Sequence, residues 1–136
     1  MTEIGSADGA SYGIGARLRR RFVVMTADRV LIDAIQRVTP EGWGMAAATD
    51  LAEVGEWQEI LLHRFLLLDL DEREYFHPVE VLEEIRTRLQ INIPVFGFGG
   101  DQELRAAARL ARCDRFFGRE EMVLRLPDFF TQFGWG

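Results

Sequence analysis

The sequence predicts an α/β protein in which a five-stranded, doubly wound parallel sheet lies between two helical layers, a (βα)5 three-layer sandwich. The first observation is the run Phe65–Leu68, which is apolar throughout and is followed at once by acidic residues. A strand buried on both faces of a parallel sheet has this character. The second observation is that short apolar runs alternate five times with segments of helical periodicity, without an internal sequence repeat. This alternation is typical of consecutive βα units.

The first βα unit follows a glycine-rich leader. Residues 1–20 are rich in glycine, serine and alanine and are predicted to be flexible, so the domain is expected to span residues 21–136. Phe22–Met25 is the predicted first strand, and Asp28 is expected to cap the helix that follows. One face of that helix carries apolar residues at helical spacing, namely Leu31, Ala34, Ile35 and Val38.

The second unit is less regular. Gly44–Ala48 predicts a weak strand, and Asp50 is expected to cap the second helix. The expected inward residues of that helix are Leu51, Val54 and Leu61. Gly55 leaves an alternative open, in which the helix stops there and residues 60–62 begin the next strand.

The third and fourth units carry clear boundary signals. The strand Phe65–Leu70 leads into an acidic loop, and Pro78 suits the first turn of the third helix. Ile93–Phe96 begins the fourth strand, which runs into the loop Gly97–Gly100, and Asp101 is expected to cap the fourth helix. The apolar faces of these two helices carry Val81, Leu82, Ile85 and Leu89 and then Leu104, Ala107, Ala108 and Ala111.

The fifth unit ends in an unusual concentration of aromatic residues. After the predicted strand Arg115–Phe117, Pro127 is expected to separate two helical pieces, Glu120–Leu124 and Asp128–Phe133, because proline disrupts a helix interior. Four aromatic side chains crowd the last eight residues: Phe129, Phe130, Phe133 and Trp135. A small domain does not readily bury all four, so we expect them to form a contact surface for a protein partner or for a second copy in a homodimer.

The composition excludes several classes of function. The net charge of −6 argues against a nucleic-acid-binding face. All 16 basic residues are arginine, and without lysine the chain has no Schiff base, no pyridoxal phosphate anchor and no Walker-type P-loop. No apolar run reaches the ~18 residues that span a bilayer, so no membrane association is expected. A single cysteine, Cys113, and the lack of a hydrophobic signal core predict a cytoplasmic location.

Five βα units with an aspartate closing the third strand resemble the receiver domain of bacterial response regulators. The resemblance covers roughly Arg21–Phe130, and its best-matching stretches are Phe65–Asp71, Val81–Arg86 and Ala106–Phe117. It implies that Asp69 corresponds to the aspartate that accepts a phosphoryl group with the help of Mg²⁺.

Three other functional positions of that family are not matched. The acidic pair expected after the first strand is replaced by Thr26-Ala27, with Asp28 one place late. The hydroxyl expected after the fourth strand falls in Gly97–Gly100, and Arg119 stands in place of the lysine that follows the fifth strand. Loss of the acidic pair should remove most of the affinity for Mg²⁺.

These departures favour a degenerate pseudo-receiver, a signalling module that acts by protein–protein contact, with no enzymatic activity and no cofactor. Asp69 is then a strand-end carboxylate that hydrogen-bonds loop backbone. Two alternatives stay open. One is a phosphorylatable receiver that binds Mg²⁺ through Asp28, Asp69 and Asp71. The other is a flavodoxin-like domain that binds a small ligand with the Gly97–Gly100 loop.

The negative charges of the strand-end residues also predict how a substitution of Asp69 changes the stability of the fold. If Asp69 lies against Asp28 and Asp71 without a cation, like-charge repulsion predicts that Asp69→Asn is neutral or stabilising.

Overall fold

The computed structural model describes residues 20–135, which form one parallel sheet with helices packed on both faces. The strands are β1 (Arg20–Met25), β2 (Trp43–Ala48), β3 (Leu66–Asp69), β4 (Val95–Phe98) and β5 (Arg115–Phe117). The helices are α1 (Arg29–Val38), α2 (Trp57–Leu61), α3 (Pro78–Glu83), α4 (Gln102–Leu110) and α5 (Arg119–Gln132). A 3₁₀ turn, Leu51–Glu53, precedes α2, and a π-helical turn, Glu84–Arg88, continues α3.

The strand order is β2-β1-β3-β4-β5, and every pairing is parallel. The chain moves from β1 outward to β2 and then returns past β1 to β3, so the direction of winding changes between β1 and β3. Sites in open α/β sheets form beyond the carboxyl ends of the strands at such a switch point. The predicted five-stranded, doubly wound sheet is confirmed.

Strand β3 divides the core into two layers. Leu66 and Leu68 face a cluster that includes Leu82 of α3, whereas Leu67 faces the opposite cluster with Ile35 of α1. All of these side chains are fully buried. Because burial of one such side chain stabilises a fold by about 1.5–3 kcal/mol, β3 is a main source of stability as well as the support of the strand-end site.

Three aspartates cap helical turns as the sequence predicts. The Asp28 and Asp101 carboxylates each accept a hydrogen bond from the amide three residues further on, at 3.1 and 2.7 Å. The Asp50 carboxylate accepts one from the amide two residues further on, at 3.0 Å. Each contact satisfies an amide that the helix itself leaves without a partner.

The second predicted helix is interrupted. Gly55 has a φ of +133°, a conformation that glycine adopts readily, and the backbone there breaks the helical register. As a result Ile60 is buried, whereas Leu61, predicted to face inward, is 49% exposed. The alternative prediction was right about the stop near Gly55 and wrong about residues 60–62, because β3 begins only at Leu66.

Helix α5 runs without a break from Arg119 to Gln132 through Pro127, so the prediction of two separate pieces was wrong. A proline in a helix interior costs about 3 kcal/mol. Leu126 and Phe129 on either side of it are fully buried, and their burial contributes a comparable or larger free energy. Tertiary packing therefore overrides the local preference.

Phe129 and Phe130 belong to the core, and the expectation that they form a contact surface was wrong. The centroid of the Phe129 ring lies 4.8 Å from that of Phe96 and 5.3 Å from that of Phe117. The Phe130 ring lies 4.9 Å from Trp43. Both rings are buried because the uninterrupted α5 lays them across the sheet.

Residues 1–19 and 136 lie outside the described structure, and with them most of the leader predicted for residues 1–20. Arg20, assigned to that leader, is the first residue of β1. Within residues 20–135, no helix is long and apolar enough to cross a bilayer.

Candidate functional site

Polar side chains gather at the carboxyl edge of the sheet, where β1 and β3 end. Thr26 follows β1, Asp28 caps α1, and Asp69 is the last residue of β3. Asp71 lies in the loop after β3, and Arg119 is the first residue of α5. The structure thus brings together the three aspartates and the arginine that the sequence singles out.

The Arg119 guanidinium lies among the three aspartates and contacts all of them. Its Nη1 donates to Asp69 Oδ1 at 2.6 Å and to Asp71 Oδ2 at 3.0 Å. Its Nη2 donates to Asp28 Oδ2 at 2.8 Å and to Asp69 Oδ2 at 3.3 Å. Asp69 is therefore held by both nitrogens, the fork geometry that a planar guanidinium makes with a carboxylate. We refer to these four residues as the Arg119 cluster.

Asp69 is the most buried carboxylate of the Arg119 cluster, with a side chain only 4% exposed. The Thr26 hydroxyl donates to its Oδ2 at 2.7 Å, and the Asp71 amide donates to its Oδ1 at 2.9 Å. The second of these is the loop-backbone contact expected of Asp69. Burial of a carboxylate is costly unless it is paired and hydrogen-bonded, and here both oxygens are engaged.

The hydrogen bond from the Thr26 hydroxyl to Asp69 was not predicted from the sequence, because Thr26 was considered only as the replacement of an acidic residue. The signal was the sheet order, because Met25 pairs with Leu68 and the next residues on the two strands are Thr26 and Asp69. A hydroxyl one strand away from a buried carboxylate is well placed to donate to it.

Burial and hydrogen bonding shift the pKa values of Arg119 and Asp28 in the Arg119 cluster. Burial lowers the pKa of the Arg119 guanidinium, but hydrogen bonds to Asp69 and Asp28 outweigh burial and raise that pKa above its ordinary value. The Leu31 amide lowers the pKa of the Asp28 carboxyl below its ordinary 3.8, with a further contribution from Arg119 against the effect of burial. A carboxyl with a lowered pKa stabilises the fold above its unfolded-state pKa and loses that effect as pH falls through the folded-state pKa. The ion pair between Asp28 and Arg119 is therefore intact at neutral pH.

The Arg119 cluster does not fit the Mg²⁺ ion that the receiver resemblance implies. Mg²⁺ requires oxygen ligands that converge on one centre with near-octahedral geometry. Arg119 hydrogen-bonds to oxygens of Asp28, Asp69 and Asp71. Its positive charge would repel a divalent cation that bound the same oxygens. Across the described part of the chain, no group of three or more His, Cys, Asp or Glu residues is arranged to hold a metal ion.

The Gly97–Gly100 loop is closed by its own contacts. The Gly99 amide donates to a carbonyl of β5 at 2.9 Å, and the Gly100 amide donates to Asp71 Oδ1 at 2.9 Å. An anion would have to displace the Asp71 carboxylate, and the Asp101 carboxylate at the N-terminus of α4 would repel it. This geometry does not favour the small-ligand alternative.

The rest of the aromatic tail lies at the opposite edge of the sheet. Phe133 is half-buried, with its ring 5.6 Å from Phe65 and 5.9 Å from Phe96. Trp135 is 67% exposed and lies under the Arg64 guanidinium at 4.2 Å, while Arg64 also donates to the Phe133 carbonyl at 2.9 Å. Of the four aromatic residues predicted to form a contact surface, only Trp135 presents most of its side chain to solvent.

Replacement of Asp69 by asparagine is expected to destabilise the protein by about 2 kcal/mol, because the charge-assisted hydrogen bonds to Arg119 are weakened. The amide nitrogen of asparagine is a hydrogen-bond donor, and it takes the place of an oxygen that accepts from either the Thr26 hydroxyl or the Asp71 amide. The sequence-based expectation of a neutral or stabilising change assumed that no cation is present, and Arg119 supplies one. Urea unfolding of both proteins measures the difference, and equal midpoints would contradict a structural role for Asp69.

Comparison with known proteins identifies the fold. No protein-family model and no curated protein matches the chain. The signal receiver domain of a response regulator from Bermanella marisrubri is 18% identical, with a TM-score of 0.64 over 79% of this chain and 95% of that one. The phosphorylated cyanobacterial phytochrome response regulator RcpA is 15% identical, with a TM-score of 0.66 over 85% and 94%. A response regulator from Thermotoga maritima is 14% identical, with a TM-score of 0.59 over 84% and 99%.

The sheet order and the acidic residues at the switch point define a doubly wound α/β domain of the flavodoxin-like class. Within that class, the chain has the fold of response regulator receiver domains. At these identities the likeness establishes the fold, and the predicted resemblance is confirmed at that level.

Proposed function

We infer that the chain is a degenerate receiver, a cytoplasmic signalling or regulatory module that acts through protein contacts and is not phosphorylated at Asp69. The observation that carries this proposal is the Arg119 guanidinium seated on Asp28, Asp69 and Asp71. The proposal involves no enzymatic step and no cofactor.

The chemistry of phosphoryl transfer supports the proposal. To attack phosphorus, an oxygen of Asp69 must be accessible and must have a free lone pair directed at the donor. Both oxygens are hydrogen-bonded, and the side chain is almost entirely buried. A phosphate donor would also approach the carboxylates of Asp28 and Asp71 without a divalent cation to offset the repulsion between negative charges.

We expect no phosphate adduct after incubation of the full chain with acetyl phosphate and Mg²⁺. Intact-mass spectrometry measures the adduct directly, with a phosphorylatable receiver domain carried through the same reaction as a positive control. A stoichiometric gain of one phosphoryl group that disappears in Asp69→Asn would overturn the proposal.

Ligand-induced stabilisation separates the proposal from its two alternatives. Beryllofluoride with Mg²⁺ should raise the melting temperature of a phosphorylatable receiver, and nucleotides or phosphate should raise that of a small-ligand domain. We expect neither to raise it here. A shift that is saturable and is lost in Asp69→Asn favours the first alternative, and a shift with nucleotides alone favours the second.

Protein contact requires an exposed surface, and the last two βα units and the end of the chain offer one. Leu110 of α4 is 87% exposed, Leu124 of α5 is 79% exposed, and Trp135 is 67% exposed. Single large apolar side chains with this exposure are common on protein surfaces, and residues that contact a partner are often of this kind. Of the four rings that the sequence predicted for a contact surface, only Trp135 belongs to this exposed set.

A further inference from the structure

An open cleft of about 840 Å³ lies between α2 and α3, and no residue of the Arg119 cluster lines it. Its floor is apolar and includes Leu51, Ile60 and Val81. Its wall carries Trp57, which is 47% exposed, and the half-buried Leu89. A half-exposed tryptophan beside an apolar floor is a typical anchor point for a partner side chain.

The rim of the cleft is acidic, with carboxylates from Asp50, Glu53, Glu56, Glu80 and Glu84. Asp50 and Glu53 form the capping box of the 3₁₀ turn, and Glu84 pairs with Arg88. The carboxylates of Glu56 and Glu80 make no hydrogen bond or ion pair within residues 20–135, and they lie on the α2 and α3 walls respectively. The cleft therefore offers two negative charges that are unpaired among the described residues, around an apolar centre.

The turn that ends α4 has the complementary chemistry. Leu110 is 87% exposed between Arg109 and Arg112, and neither arginine pairs with a carboxylate in the described part of the chain. The turn is held in shape by Arg86, whose Nε donates to the Arg112 carbonyl at 3.1 Å and whose Nη2 donates to Asp114 at 2.9 Å. Because the turn is already ordered, it loses little conformational entropy on binding.

We propose that the cleft between α2 and α3 binds the turn Arg109–Arg112 of a second copy of this chain. Leu110 enters the apolar centre beside Trp57, and the two guanidiniums pair with Glu56 and Glu80. The inference deepens the proposed function, on which it rests for the idea that the domain acts by protein contact.

This contact is heterologous, because each copy contributes a different surface to it. A bound pair keeps one free cleft and one free turn, so further copies can add in the same way. Burial of Leu110 and Trp57 supplies most of the affinity, whereas the ion pairs select the partner and fix its orientation. The net charge of −6 on each copy opposes association at long range, so salt has two opposing effects and is a poor diagnostic.

Two variants of the full chain test the contact, each with one surface disabled. Glu56→Arg combined with Glu80→Arg reverses the charge of the cleft, and Leu110→Asp removes the apolar anchor of the turn. In sedimentation equilibrium we expect the natural chain to show a mass that rises with concentration, and each variant to associate at least about tenfold more weakly. A mixture of the two variants should form a one-to-one complex and nothing larger, because only one intact cleft and one intact turn remain.

Val30→Asp is the matched control, since Val30 is 79% exposed but lies on α1 outside both surfaces, and it should leave association unchanged. Thermal melts confirm that each variant is folded. The proposal is overturned if the natural chain stays monomeric up to about 1 mM. This outcome includes the case in which the cleft binds another protein or another segment of this chain. Association that survives both sets of substitutions, or variants that fail to complement each other, overturns it as well. None of these outcomes bears on phosphorylation of Asp69, so the two proposals fail separately.

Discussion

Replacement of Arg119 by alanine is expected to lower the free energy of unfolding by about 3 kcal/mol. The change leaves the carboxylates of Asp28, Asp69 and Asp71 facing one another, with Asp69 buried and without its main partner. We place the loss at the lower end of the range for buried pairs because 30% of the Arg119 side chain is exposed. Urea unfolding at neutral pH measures it.

The pH dependence and a neighbouring ion pair provide the controls. In Arg119→Ala, protonation of one carboxyl relieves the repulsion, so the stability deficit should shrink as pH falls toward 4. Arg125→Ala on the same helix removes an exposed pair with Asp128 at 3.3 Å, and it should cost less than about 1 kcal/mol. Equal, small losses for the two variants would show that the Arg119 cluster is not a structural ion-pair network.

Substitution of Phe129 by alanine is expected to cost about 3–5 kcal/mol, as is usual for the loss of a fully buried ring. Phe129 packs against Phe65, Phe96 and Phe117, so the change leaves a cavity in the layer between α5 and the sheet. Truncation after Asp128 removes this ring together with Phe130 and should lower the melting temperature sharply, with binding of a dye such as ANS to newly exposed apolar surface.

Trp135→Ala is the matched control at the same end of the chain. Trp135 is mostly exposed and contacts Arg64 through its ring, so its loss should cost less than about 1 kcal/mol. A truncated protein that melts at the temperature of the full chain would contradict the assignment of Phe129 and Phe130 to the core.

The fold followed from the sequence because its signals are local. The apolar run of β3, the capping residues Asp28 and Asp101, and the alternation of strand and helix periods each depend on neighbouring residues, and each was predicted correctly. The two errors in α2 and α5 arose where a local signal competed with packing. Gly55 broke a helix whose periodicity continued beyond it, and Pro127 failed to break one whose flanking side chains are buried.

The site was only half predictable, because its parts are distant in sequence. The three aspartates were predicted to lie together because strand ends converge. The contacts of Arg119 with all three of them were not predicted. Arg119 lies 50 positions from Asp69 and 91 from Asp28, and sequence spacing does not show whether a long side chain turns toward them or toward solvent. The burial of Phe129 and Phe130 was missed for the same reason, since it depends on how α5 crosses the sheet.

A tethered cation differs from a dissolved one in how it responds to its surroundings. A bound metal ion is lost and regained as its concentration changes, whereas the Arg119 guanidinium is covalently part of the chain and is present at an effective concentration fixed by the fold, on the order of millimolar or above. On the proposal that this site binds no cation, chelators and shifts in divalent ion levels should leave this edge of the sheet unchanged. The Arg119 contacts connect the end of β3 to the start of α5, and we propose that they persist once the chain has folded.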